Sequence, residues 1–430
     1  MSDVEIKNGV KSLKEQLENG NLSFYTCILC LAALSFKIHW LPPFMILLVV
    51  FWFLEKKQVF TGNKLFGLKT TNLFLIFLAL FIWQMIGLFF TESISSGVER
   101  IIKRASFLLF PLALFFPSDL IKLKIRLLLK LFTIFILIYL IYCFGVALNN
   151  SITIKEGKWI FNQYHELYTY ESFFAGYRLS GSVHPTYLAM YLIVSLIITL
   201  DEFFDKALKV VTRSIWLLVS IIFLVVIYLL SSRAGILAVA IVLPLYLIVK
   251  LYRQLPAWFI ITLILVFITV SGALISINSR LKYSFDEIAK ENIDDAFQKD
   301  VRILIWRSAI GIIKDNLLVG VGTGDASEEL KKEFLRRGYT EGFYENLNAH
   351  NQFLEIMLEN GMIGLILFLG TLGYICFMAI KDHNYMLMLF LITMVIFFMF
   401  ETILNRLAGI TFFPLFTFLF VHLKSKQVSG

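Results

Sequence analysis

The chain has 430 residues, 58% of them hydrophobic and only 16% charged, and its mean hydropathy is +0.78. Soluble chains run at roughly 45–50% apolar and about 25% charged. This composition, with 43 Phe and 17 Tyr, therefore excludes an ordinary water-soluble enzyme and implies an all-α, polytopic integral membrane protein. The net charge of +8 comes from short basic clusters set between apolar runs, a topology pattern rather than a nucleic-acid-binding face. Cys27, Cys30, Cys143 and Cys376 all lie inside apolar runs. No second ligand pair accompanies the Cys27-x-x-Cys30 spacing, so neither zinc nor redox chemistry is expected there.

In chain order, residues 1–21 come first, with Val10, Leu13 and Leu17 on one helical face, and are expected to form a cytoplasmic surface helix. No small-residue cleavage site follows the first apolar run, which reads as an uncleaved helix. A membrane crossing needs about 20 mainly apolar residues. Twelve runs qualify as spans: 22–37, 40–54, 73–90, 101–116, 127–148, 184–200, 214–231, 233–250, 257–277, 361–380, 384–400 and 407–423. The run 101–116 is the weakest, because Lys103 and Arg104 stand at its start.

With the N-terminus placed in the cytoplasm, the inside segments hold 19 Lys and Arg and the short outside segments nine. That bias supports twelve spans with both termini inside and a cytoplasmic tail at 424–430. Spans one to nine then occupy 22–277, interrupted by an outer loop at 149–183. A large outer loop follows at 278–349, and residues 350–423 hold a re-entry segment and the last three spans. Within the large loop, Val301, Leu304, Ile305, Ile312 and Ile313 recur at helical spacing and predict an amphipathic helix. After the turn Gly320-Val-Gly322-Thr-Gly324, residues 325–337 predict a second helix, with Asp325 at its N-cap and Gly338 past its end. The cap over the membrane domain is thus expected to be helical.

Polar groups at the membrane are costly, a central Arg costing about 2.5–3.5 kcal/mol on insertion scales. Four clusters therefore stand out, all on the outer side. Arg233 follows Ser231-Ser232 in a hairpin with almost no loop, where an Arg either snorkels to headgroups or holds an anion. Arg302 and Trp306 share one face of the amphipathic loop helix, a spacing common to interfacial anchors and to binding sites. His350, in Asn348-Ala-His350-Asn351 ahead of Gly361-x-x-Gly364, sits where the large loop re-enters the membrane. A lone His is more often structural, but one at the mouth of a bundle among arginines can also take a proton from a hydroxyl. Arg178, in Arg178-Leu-Ser-Gly181 leading to His184-Pro185, lies at a turn and can meet a substrate anion or a lipid phosphate. The acidic group Asp286, Glu287, Glu291, Asp294 and Asp295 has no cation-ligand spacing and reads as a solvated face.

Taken in order, these clusters resemble those of the bacterial O-antigen ligase family. His350-Asn351, nine further residues and Gly361-x-x-Gly364 resemble the signature that follows the family's large periplasmic loop. Arg233 with Leu237 is similar to its Arg-x-x-x-Leu element before that loop, Arg178 to Gly181 to its Arg-x-x-Gly turn, and Arg302 with Trp306 to its loop Arg/Trp pair. The resemblance covers about residues 170–380. It implies a C-type membrane glycosyltransferase of the inner membrane, acting on the periplasmic face without metal or other cofactor and with inversion. The donor would be an undecaprenyl-diphosphate-linked glycan and the acceptor a hydroxyl of lipid A–core. His350 would be the catalytic base; Arg233, Arg302 and Arg178 would hold the diphosphate; Asn351, Trp306, Gly361 and Gly364 would support them. An O-antigen or exopolysaccharide polymerase, or a protein O-oligosaccharyltransferase, would share the donor chemistry and differ in taking a second glycan or a protein hydroxyl. A polysaccharide or lipid transporter would instead place its charges near the membrane midplane.

Overall fold

The computed structural model describes residues 21–55, 69–155, 157–164, 172–251 and 301–423, with residues 256, 258, 262, 265 and 269 between them. The expected surface helix at 1–21, most of the span at 257–277, the loop at 278–300 and the tail at 424–430 lie outside these residues. In chain order the helices are α1 (Asn21–Phe36), α2 (Leu41–Glu55), α3 (Lys69–Ile86), α4 (Ile94–Arg104), α5 (Ser106–Leu114) and α6 (Asp119–Ser151). Then follow α7 (Gly176–Ser180), α8 (Pro185–Phe203), α9 (Val210–Leu229), α10 (Arg233–Leu251), α11 (Val301–Asp315) and α12 (Ala326–Arg336). The last are α13 (Thr340–Tyr344), α14 (Gln352–Lys381), α15 (Tyr385–Phe400) and α16 (Leu407–His422). Between α6 and α7 a short antiparallel hairpin, β1 (Ile152–Lys155) and β2 (Lys158–Phe161), pairs Thr153 with Ile160. It is a local exception within the all-α architecture, with β-branched and aromatic residues making up most of both strands around Gly157, at φ +75°.

Among the described residues, seven helical segments are long and apolar enough to cross a membrane, beginning at Ile38, Lys69, Asp119, Pro185, Val210, Arg233 and Gln352. The apolar helices α1, α15 and α16 are shorter, at 16 residues each. The chain is a helical membrane protein. The run 101–116 is not one continuous helix. It is divided between α4 and the nine-residue α5, because the chain turns at Ala105, whose N–H bonds to Ile102 O at 3.2 Å, and Arg104 points into the protein, only 4% exposed.

The described chain forms two compact units. One comprises residues 1–132, 305–391 and 402–430. Its core is aromatic: Phe77, Phe107, Phe132, Phe390, Phe412, Phe413 and Phe416 are fully buried, with the Phe412 and Phe416 rings 4.3 Å apart and Phe132 to Phe416 4.7 Å. Helix α16 is apolar all round and buried all round, the pattern of a central helix. The loop helices α11 and α12 belong here from Ile305 onward. As their periodicity predicted, Ile305, Ile312 and Ile313 pack with Leu330 and Phe334.

The central constraint of this unit is a break in α14. Gly361 has φ +63° and ψ −163°, a region open essentially to glycine alone. In an unbroken helix Leu358 O would accept from Met362 N–H, and Glu359 O from Ile363 N–H. Here the segment 317–322 takes all four groups. Val321 and Gly322 donate to Leu358 O and Glu359 O at 2.9 and 3.1 Å, while Met362 and Ile363 donate to Leu317 O and Leu318 O at 2.8 and 3.4 Å. A Cβ on Gly361 would lie 2.3 Å from Leu318 O, and one on Gly320 would lie 2.6 Å from Leu358 O. The glycines of the 320–324 turn and of Gly361-x-x-Gly364 are thus two sides of one backbone contact. Gly364 adds a close approach of its own, its hypothetical Cβ 2.3 Å from Asn360 Cβ.

The other unit comprises residues 133–304 and 392–401. Helix α8 is its centre, with 89% of its apolar window buried. Ser220 of α9 donates to Thr199 of α8 at 2.7 Å, and Lys250 of α10 pairs with buried Asp201 of α8 at 2.5 Å. Where α10 nears α8, a Cβ on Gly235 would come within 2.9 Å of Ala189 Cβ.

Gly361→Ala should prevent α14 from keeping both its break and its contact with 317–322. Thermal unfolding in detergent should show a markedly lower midpoint or no folded monodisperse protein. A wild-type midpoint would show that the break does not depend on glycine.

Candidate functional site

Three of the residues singled out in sequence meet at the start of α14. Ala349 is fully buried. Its N–H donates to Glu355 Oε2 at 3.2 Å, and its carbonyl accepts from Trp306 Nε1 at 3.0 Å. His350 follows with φ +45°, a left-handed conformation uncommon for a non-glycine residue, and its N–H donates to Asn348 Oδ1 at 2.9 Å. Asn351 is the N-cap of α14, its Oδ1 accepting from Phe353 and Leu354 N–H at 3.0 and 3.1 Å. Backbone strain held by several surrounding bonds is characteristic of working sites. His350 is half-buried, between solvent and the interior.

Beneath this turn lies a cluster of charges that sequence reading missed. Glu359 is fully buried and receives two arginines: Arg100, which pairs directly with Oε1, and Arg104 at 2.7 Å from Oε2. Arg100 also donates to Ser327 Oγ at 2.5 Å and approaches Glu355 at 3.7 Å. Arg104 donates to Asn405 Oδ1 at 3.1 Å, and Asn405 Nδ2 donates to Glu355 Oε1 at 2.6 Å. Gln352 Oε1 accepts from Leu404 N–H at 2.7 Å. A signal for the cluster was present in the spacing. Glu355 and Glu359 are four apart, as are Arg100 and Arg104. Like charges at that interval repel on a helix unless a partner of opposite sign stands opposite.

Asp325 occupies the expected N-cap position of α12 but makes no cap bond to that helix. Its carboxylate instead accepts from Glu92 and Ser93 N–H, at 2.6 and 2.9 Å, at the start of α4. A negative group there suits the positive end of α4. A polar cleft of about 260 Å³ between α11 and α12 is lined by Asp315, Asn316, Glu329, Lys332, Glu333 and Arg336 among others. Its charges are spent largely on one another: Arg336 and Arg337 donate to Glu333 and hold its carboxyl below the usual range.

Arg178, Arg233 and Arg302 lie in the other unit. Arg178 is exposed on α7. The turn after it is held by Tyr139, whose hydroxyl donates to Ser180 O at 2.8 Å and accepts from Val183 N–H at 3.2 Å. His184 caps α8, with Nδ1 accepting from Thr186 N–H and Nε2 within 2.5 Å of the Tyr177 hydroxyl. Arg233 is the first residue of α10 and half-buried. Ser232 Oγ caps that helix by accepting from Gly235 N–H at 3.2 Å, and Ser231 has φ +51°. An arginine at a helix N-terminus opposes the helix dipole, so cation and dipole together favour an anion there. Arg302 lies on the first turn of α11, half-buried. Trp306, four residues on, directs its ring N–H to the His350 turn. Among the described residues no group of three or more His, Cys, Asp and Glu is arranged to hold a metal ion.

Removing one member of the buried cluster leaves the opposite charge unpaired, which typically costs about 3–5 kcal/mol. Glu359→Ala should therefore lower the thermal midpoint far more than loss of the exposed Lys103–Glu99 pair, and an equal effect of the two would refute a buried cluster.

The chain has no match among curated proteins. Residues 218–369 match the family model described as O-antigen ligase, a stretch that includes every site residue named from sequence except Arg178. Through that segment the chain is similar to the O-antigen ligase family.

Proposed function

We propose that the protein is an O-antigen ligase of the bacterial inner membrane. It transfers a glycan from undecaprenyl diphosphate to a hydroxyl of lipid A–core on the periplasmic face, by inversion and without a metal. The observation that carries this reading is the His350 turn. Within the segment that matches the ligase family, a half-buried imidazole sits on a strained backbone at the start of a membrane-length helix.

The reaction needs a base and an anion stabiliser. The acceptor oxygen attacks the anomeric carbon from the face opposite the leaving group, and a new glycosidic C–O bond forms. The bond from that carbon to the diphosphate breaks, and its electron pair stays on the phosphate oxygen. The hydroxyl proton passes to the imidazole of His350. General base help of this kind contributes about 10²–10⁴-fold. The leaving diphosphate needs only charge neutralisation. Arg233 supplies it with a guanidinium at the positive end of α10, joined by Arg302 and Arg178, whose planar forks suit phosphate oxygens. Asn351 fixes the first turn of α14 behind His350, and Gly361 and Gly364 keep the break that sets its direction.

The test is glycan transfer by purified protein in nanodiscs, given undecaprenyl-diphosphate-linked oligosaccharide with and without lipid A–core, in EDTA. Acceptor-dependent glycosylated lipid A is the expected product. A ladder of longer lipid-linked glycans without lipid A would make the protein a polymerase, and glycan on a protein hydroxyl an oligosaccharyltransferase. His350→Ala should reduce transfer by about 10²–10⁴-fold with donor binding nearly unchanged. Arg233→Ala should cost about 10²–10³-fold and weaken donor binding as well. Full activity of His350→Ala would end this mechanism.

A further inference from the structure

The buried cluster and the His350 turn are joined through Ala349. Both of its backbone polar groups are taken by side chains: the N–H by Glu355 Oε2 and the carbonyl by Trp306 Nε1. The next peptide N–H, that of His350, is taken by Asn348. A left-handed backbone at a histidine is unfavourable unless its surroundings over-determine it, and these bonds provide that over-determination. Glu355 is itself fixed from the other side. Asn405 donates to its second oxygen, and Arg100 stands 3.7 Å away.

We infer that Glu355 and Trp306 are positioning residues for transfer, gripping the two backbone groups of Ala349 so that His350 presents its imidazole in one orientation. This inference rests on the proposed role of His350. Three donors converge on the Glu355 carboxylate: Ala349 N–H, the Asn405 amide and the Arg100 guanidinium. A carboxylate accepts on both oxygens, whereas a glutamine must turn its NH₂ toward one of these donors. Glu355→Gln therefore keeps the size of the side chain and sets an NH₂ against a donor within the grip. Trp306→Phe keeps an aromatic side chain, of smaller size, and removes the donor to Ala349 O.

The experiment measures single-turnover transfer from undecaprenyl-diphosphate-linked oligosaccharide to lipid A–core for wild type, Glu355→Gln, Trp306→Phe and His350→Ala. Rates are normalised to donor sites counted in the same preparations with the labelled lipid-linked oligosaccharide. This normalisation separates positioning from loss of folded protein. Both positioning variants should lose about 10–10²-fold in rate per donor site, the scale of a small misplacement of a reacting group, with donor affinity within about twofold of wild type. Wild-type turnover in folded Glu355→Gln and Trp306→Phe, with His350→Ala inactive, would overturn this inference and leave the ligase mechanism standing. A parallel fall in donor affinity would also overturn it. Activity in His350→Ala would remove the mechanism and this inference together. If Glu355→Gln does not fold, Trp306→Phe decides alone.

Discussion

A backbone group removed from water must find a partner inside the protein, and in an apolar setting it has no other recourse. The break in α14 shows this rule at work. Opening the helix at Gly361 frees two carbonyls and two N–H groups, and the segment 317–322 donates to the first pair and accepts from the second. That exchange ties the loop containing α11 and α12 to the membrane-length helix without a covalent link. It also explains the glycines: at Gly320 and Gly361 the two backbones are too close for a Cβ on either side. An unbroken α14 of 30 residues would run about 45 Å, well beyond the roughly 30 Å hydrocarbon layer. The break lies nine residues from its start and separates the part that supports His350 from the part long enough to span.

The second constraint is charge. Arg104, Glu355 and Glu359 lie buried together beside the half-buried Arg100, with Ser327 and Asn405 filling further hydrogen-bonding positions. Buried ion pairs gain little net stability over apolar packing, but their geometry is unforgiving. That geometry extends to the floor beneath His350, because Glu355 serves the cluster with one oxygen and the Ala349 peptide with the other. The chemistry proposed for this protein asks for a base fixed against a large, mobile lipid substrate, and a rigid polar floor suits that demand.

The helical membrane character of the chain, the amphipathic α11 and the second loop helix were all legible, because each depends on local periodicity. The failures share one cause, which is partnership at long range. Arg100 and Arg104 looked like outer-face charges at the edge of a weak span, since Glu359 stands more than 250 residues away. Asp325 was legible as a cap but not as a cap for α4, a helix 233 residues earlier. Trp306 was paired with Arg302 by helical spacing, while its ring N–H serves Ala349. The glycine-rich turn at 320–324 was legible as a turn, and its fit against Gly361 was not, because nothing in either motif alone specifies the other.

The same long-range partnership bears on how the protein is made. Arg100 and Arg104 leave the ribosome 259 and 301 residues ahead of Glu359 and Asn405 respectively. Until those residues emerge, neither guanidinium can meet the partner that it pairs with in the folded chain. Asn405 also lies beyond the segment that marks the family, which stops at residue 369. The nascent chain thus completes its ionic floor only when the turn before the final helix has emerged, and a product truncated just short of that turn leaves Arg104 and Glu355 each without their Asn405 bond.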